Sequence, residues 1–233
     1  RHLTALFALF LVITLFIKGC GVRSTDDHSV AENNPSLIDL DHILERGKLV
    51  VLTENSSTSF FIYRGEPMGF EYELLSRFAE YLGVELEIVL ADNMDSIFTK
   101  LNSGEVDLVA CNLTITKERS RQVNFSTPYL LTKQVLVQRK PEFWERMPKH
   151  ELNEYLITNT IELIDQDVHV RENSSFYERL MNLSDEIGGN INVITTPGET
   201  DTESLIRMVA EGEILYTVAD ENVAMINQTY YPN

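Results

Sequence analysis

Arg119 lies in the run DLVACNLTITKERSRQVNFSTPY, residues 107–129, whose residue types and order could hold a small anion. Asp107 to Cys111 reads as a short apolar strand, Asn112 to Thr116 as the loop leaving its carboxyl end, and Lys117 to Arg121 as the first turn of a helix. Backbone N–H groups and the hydroxyls of Thr114 and Thr116 would then converge with the guanidinium on one spot. Ligands of open α/β sheets sit beyond the carboxyl ends of strands, and a guanidinium pairs with a carboxylate through two parallel hydrogen bonds. The competing reading is an exposed arginine at a charged helix start.

Several elements must place this loop. In Glu71 to Leu82 the apolar residues Leu74, Leu75, Phe78 and Leu82 share a helical face, and Gly83 is a fitting stop. Val84, Leu86 and Ile88 alternate with Glu85 and Glu87 as in a strand. Asp92 or Asn93 would cap a short helix with Ile97 and Leu101 turned inward, ended by Gly104. Glu71, Glu73, Glu85 and Glu87 are expected on solvated surfaces. Beyond Pro141, residues 142–164 are charged and read as an insertion where the chain crosses between lobes. Strands at Val168 to Val170, Ile191 to Ile194 and Leu215 to Val218 then alternate with helices at Ser174 to Leu183 and Thr202 to Ala210. Such alternation implies parallel pairing with right-handed crossovers.

Composition narrows the function classes. With 233 residues the chain can hold one two-lobed domain. A net charge of -17 argues against a nucleic-acid partner, which needs clustered Lys and Arg. The two cysteines, Cys20 and Cys111, form no disulfide framework or zinc spacing, so neither metal nor cofactor is expected. Cys111 reads as a buried packing thiol. Cys20 follows Leu3 to Ile17, an apolar run of signal-peptide length, and Ile-Lys-Gly-Cys at 17–20 resembles a bacterial lipobox, although Lys18 stands where a small residue is usual. Lipidation of Cys20 and an uncleaved anchor both remain open. Residues 21–39 are polar and read as a tether.

From Gly47 onward, the segments RGKLVVLTENSSTSFFIYRGEPMGFEYELL, NLTITKERSRQVNFSTPYLLTKQVLVQRKP and LIRMVAEGEILYTVADENVAMINQTYYPN resemble the type 2 periplasmic-binding-protein fold of solute-binding protein family 3. Within it they are similar to the N-terminal domain of membrane-bound lytic transglycosylases of type F, in the form found in Bacteroidetes. The resemblance covers roughly Leu40 to Asn233.

It implies an α/β, two-lobed fold with lobe 1 over 40–139, an insertion over 140–165 and lobe 2 over 166–233, behind the lipoprotein signal peptide read over 1–20 and the tether over 21–39. It also implies a return to lobe 1 that these residues do not supply. The ligand would lie in the cleft between lobes, with its carboxylate on Arg119, Asn112 and Thr114 and its amino group on Asp220. Ser174 and Ser175 would offer a helix N-terminus, and Phe60 would cover the ligand, with Phe61 and Tyr63 as core packing and Met94 at the edge. Asp220 could instead be an N-cap.

Expected partners are a small amino acid, peptide or muropeptide, and a bacterial membrane at its periplasmic face through the N-terminal anchor. Peptidoglycan would be reached through a further domain. Glu203-Ser204 mimics the catalytic Glu-Ser pair of lytic transglycosylases but lacks the Gly-rich segment that follows it there, so no catalytic residue is expected in this chain. The function implied is a regulatory solute-binding module of a peptidoglycan-degrading protein, with an amino-acid-binding lipoprotein of an ABC importer as the alternative.

Overall fold

The structure, a computed structural model, describes residues 39–91, 93, 96–197 and 199–233. The expectations for Cys20, the leader and most of the tether, Asp92 and Met94 lie outside the described residues.

A three-stranded parallel sheet orders β4-β1-β5. It begins after α1 (Leu40–Arg46), where the Asp39 side chain accepts the His42 N–H as an N-cap. β1 (Lys48–Thr53) runs through the middle, and Leu49, Val51, Leu52 and Thr53 are almost completely buried. Alternation splits them between two faces. Leu49 and Val51 pack on Leu75 and Ala79 of α2 (Phe70–Leu82), whereas Leu52 packs with Ile97, Val106 and Cys111.

β2 (Phe61–Tyr63) and β3 (Glu66–Met68) form a hairpin between β1 and α2. Gly69 then lets the chain approach the 54–60 loop, because with φ 134° an added Cβ would sit 2.2 Å from Ser59 O. β4 (Glu85–Leu90), α3 (Ile97–Ser103) and β5 (Leu108–Ala110) complete the lobe.

The inward stripe of α2 is Glu71, Leu75 and Ala79, spaced four apart, while Leu74 and Phe78 are exposed. Glu71 is thus buried, contrary to the surface position expected for it. Leu75 and Ala79 on the same face fix the helix rotation that carries Glu71 inward.

The second sheet orders β6-β9-β7-β8. β7 (Asp167–Arg171) pairs in parallel with β8 (Asn192–Thr196) and with β9 (Tyr216–Asp220). β6 (Gln134–Gln138) runs antiparallel to β9, with Gln134 opposite Asp220. A lobe boundary at 139 therefore misplaces β6, whose backbone partners belong to the second sheet. α5 (Ser175–Ile187), α6 (Thr202–Glu211) and α7 (Glu221–Gln228) cover the sheet, burying Val168, Val170, Phe176, Leu205, Ile206 and Val209.

The 140–165 segment is also part of this lobe rather than a crossing element. It holds α4 (Lys149–Tyr155) and two 3-10 turns, Trp144–Arg146 and Thr160–Leu163. The Gln138 amide donates to Ile157 O and accepts from Ile157 N–H, both at 2.9 Å, and Leu163 enters the core beside Val168. Lys140 Nζ stands 3.5 Å from the centre of the Trp144 ring.

Candidate functional site

The first wall of the site is the loop leaving β5. Asn112 takes a left-handed φ of 49°, which asparagine tolerates better than most residues, and its N–H donates to Glu71 Oε1 at 2.8 Å. The Tyr129 hydroxyl donates to the same oxygen, and burial together with this carboxylate pushes the phenol well above its usual range. Glu71 thus fastens the loop to the start of α2.

Beyond Thr116 there is a single 3-10 turn, Arg119–Arg121, where the sequence suggested the first turn of a helix. Thr116 Oγ1 accepts the Arg119 N–H at 3.2 Å, and Arg119 Nη1 donates to Thr114 O at 3.1 Å. The guanidinium is therefore aimed back across the carboxyl end of β5. Burial first, and then the neighbouring Arg171 cation, lower its pKa.

The opposite wall is the start of α5. Ser174 stands at the N-cap position, is 7% exposed, and its Oγ is buried without a hydrogen-bond partner among the described residues. Asn173, again left-handed at φ 56°, accepts Arg119 Nη2 at 3.4 Å through its carbonyl. Ser175 Oγ lies 3.1 Å from Thr114 Oγ1.

Asp220, at the carboxyl end of β9, occupies the N-cap position of α7 but its side chain makes no capping bond. It is 8% exposed, and burial raises its pKa. The capping role that competed with a ligand role for Asp220 is not used.

Two contacts across the cleft carried no signal in the sequence. Arg171 Nη1, at the end of β7, lies 3.5 Å from Glu54 Oε2, at the end of β1. Glu203 Oε1 accepts from Ser57 N–H at 2.9 Å and from Ser57 Oγ at 2.5 Å. These partners are 117 and 146 residues apart, so only the folded topology joins them.

Glu54, Asn112, Thr114, Arg119, Ser174 and Asp220 together enclose an inner chamber of about 60 Å³. Arg119, Arg171, Ser174 and Ser175 also face a wider vestibule of about 700 Å³ on its outer side. Phe60 is not brought to either space. It packs edge-on against Tyr72, ring centres 5.5 Å apart, because it belongs to the loop folded over α2. Among the described residues no group of three His, Cys, Asp or Glu could hold a metal ion.

The chamber is therefore bipolar. A guanidinium and an N-terminal helix turn with a free hydroxyl suit a carboxylate, while the Asp220 carboxylate suits an ammonium.

Residues 49–228 match the family model of the bacterial extracellular solute-binding proteins, family 3. The chain belongs to that family. It is 37% identical over 198 residues, 85% of its length, to the membrane-bound lytic murein transglycosylase F of Desulfosudis oleivorans, and 36% identical over 222 residues, 94% of its length, to that of Ectopseudomonas mendocina. The chain spans about two fifths of the length of these curated relatives, 40% of each. Among solved structures, an ancestral arginine-binding protein bound to arginine superimposes with a TM-score of 0.64 at 27% identity, over 81% of this chain and 76% of that one. The α/β architecture, with a main sheet in each lobe and a small hairpin sheet beside the first, is the type 2 solute-binding fold expected from the sequence.

Proposed function

We propose that this family 3 domain closes on a small amphoteric ligand, an amino acid, short peptide or muropeptide fragment, and acts as the regulatory module of a lytic transglycosylase F-like protein. The observation that carries this reading is the buried Ser174 Oγ, without a partner among the described residues, in the same chamber as Arg119 and the non-capping carboxylate of Asp220. Buried polar groups in folded proteins are nearly always bonded, so a hydroxyl held without a partner beside a guanidinium fits a ligand site. The homologues named lytic transglycosylase F, and the arginine bound by a neighbour of the same fold, support both halves of the reading.

The ligand shifts a regulatory equilibrium only by its differential affinity for the closed state. Attachment of the domain at the periplasmic face of a membrane, through a lipid on Cys20, is part of the same proposal. Calorimetric titration of the whole protein with amino acids and muropeptide fragments, paired with its release of anhydro-muropeptides from sacculi, tests binding and regulation together. Ligand binding that leaves sacculus cleavage unchanged removes the regulatory half. Membrane attachment of Cys20→Ser equal to that of the wild type removes the lipid anchor.

A further inference from the structure

We propose that Arg171, held against Glu54, plugs the side-chain end of the inner chamber, so that the domain takes amino acids no larger than about alanine and rejects long cationic ones. This inference rests on the amino-acid-binding reading of the chamber given above.

Arg171 and Glu54 are well enclosed, with side chains 15% and 22% exposed, and their 3.5 Å contact spans the cleft. Arg119, Arg171, Ser174 and Ser175 border both the inner chamber and the vestibule, and Arg171 is the one of these four that is paired with a carboxylate of the opposite lobe. The chamber measures about 60 Å³. A water-sized group needs roughly 10 to 15 Å³ of such space, so about four to six non-hydrogen atoms fit. Glycine and alanine have five and six. A ligand whose carboxylate meets Arg119 and Ser174, and whose ammonium meets Asp220, has then used nearly all of the room.

Charge leads to the same conclusion. Of the other carboxylates around the chamber, Asp201 caps α6 by accepting the Ser204 N–H at 2.6 Å, and Glu203 is taken up by Ser57. Glu54 is the carboxylate left to receive a cationic ligand side chain, and the chain's own Arg171 already sits on it. A ligand guanidinium would have to displace a permanent cation of the same shape from a buried partner, which leaves Arg171 unpaired and costs more than the new contact returns. An anionic side chain would have to take Arg171 from Glu54 and leave that carboxylate unpaired.

The full chain is titrated calorimetrically with glycine, L-alanine, L-glutamate and L-arginine, as wild type, Arg171→Ala and Arg171→Ala/Glu54→Gln, with apo melting curves alongside. The wild type binds glycine or alanine at least about 100-fold more tightly than arginine or glutamate. Arg171→Ala joins chamber to vestibule, frees Glu54 and gains at least about 30-fold in arginine affinity, and the double variant loses that gain.

Arginine or glutamate binding to the wild type within tenfold of alanine overturns the plug while leaving the amino-acid site standing. So does an Arg171→Ala protein that still binds alanine but gains nothing for arginine. The wild-type comparison decides the question even if Arg171→Ala melts too low to titrate. Heats indistinguishable from dilution for every ligand and every variant overturn the amino-acid reading itself, and the plug with it.

Discussion

One oxygen of Glu203 accepts both the backbone N–H and the hydroxyl of Ser57 from across the cleft, at 2.9 and 2.5 Å. Ser57 belongs to the loop after β1 and Glu203 to the first turn of α6, so the pair ties the two sheets together without any ligand. Charge-assisted hydrogen bonds are worth roughly 1.5 to 3 kcal/mol each, less where water competes. Glu203→Ala should therefore favour the open form of the ligand-free protein, read as a larger radius of gyration in small-angle scattering. Ligand affinity should fall by about tenfold, roughly 1.4 kcal/mol. An unchanged scattering profile would show that the contact does not hold the lobes together.

Arg119 is expected to bind rather than to stabilise. Replacing the guanidinium fork by an ammonium in Arg119→Lys keeps the charge but loses the paired geometry, weakening ligand binding about tenfold to a hundredfold. Arg119→Ala should weaken it further. Both apo proteins should melt within about 3 °C of the wild type, the shift that roughly 1 kcal/mol produces in a domain of this size. Wild-type affinity in Arg119→Ala would remove the carboxylate clamp.

Glu71 and Glu73 are two residues apart and should behave oppositely. Glu71→Ala strands the part-buried Asn112 N–H and Tyr129 hydroxyl, at up to about 1 to 3 kcal/mol each, whereas Glu73 is exposed. Thermal melts should show a drop of more than about 5 °C for Glu71→Ala and almost none for Glu73→Ala. Proteolysis should also reach the 112–118 loop first in Glu71→Ala.

Glu54 gives the stability a pH dependence. Burial pushes its pKa up to about 6 from 4.5, with Arg171 opposing the shift only in part. The folded protein holds this proton more tightly than the unfolded chain does. Its contribution is therefore complete below the unfolded value of 4.5 and is lost as pH rises through about 6. Between about pH 4.5 and about pH 7 the wild type should lose melting temperature relative to Glu54→Gln. Parallel melting curves of the two proteins across that range would show that Glu54 keeps its ordinary pKa.

Local rules made much of this fold legible. Gly83 and Gly104 both end helices in the left-handed conformation, at φ 71° and 79°, and the alternating strands and helices gave parallel pairing in both sheets. Arg119, Thr114, Ser174 and Asp220 could be located because each sits where a strand ends or a helix begins, a position that sequence punctuation marks. The role of Glu71 was visible in principle. Its spacing of four from Leu75 and of eight from Ala79 marks the buried stripe, but the larger apolar residues Leu74 and Phe78 drew the face aside. Glu54 with Arg171, and Ser57 with Glu203, had no such signal, since each pair is assembled by the packing of one sheet's ends against the other. Phe60 was misplaced for a related reason: an aromatic after a strand reads alike whether it faces a cleft or, as here, a neighbouring tyrosine.

The chain has a single tryptophan, Trp144, and it stacks under Lys140 in a segment that lines neither the chamber nor the vestibule. Its emission is thus set by the packing of that segment beside β6. A fluorescence titration would follow unfolding of the second sheet's outer layer and stay silent as a ligand enters. An optical sensor for the cleft needs a fluorophore put there, and exposed Tyr177 at the vestibule rim offers a place for it.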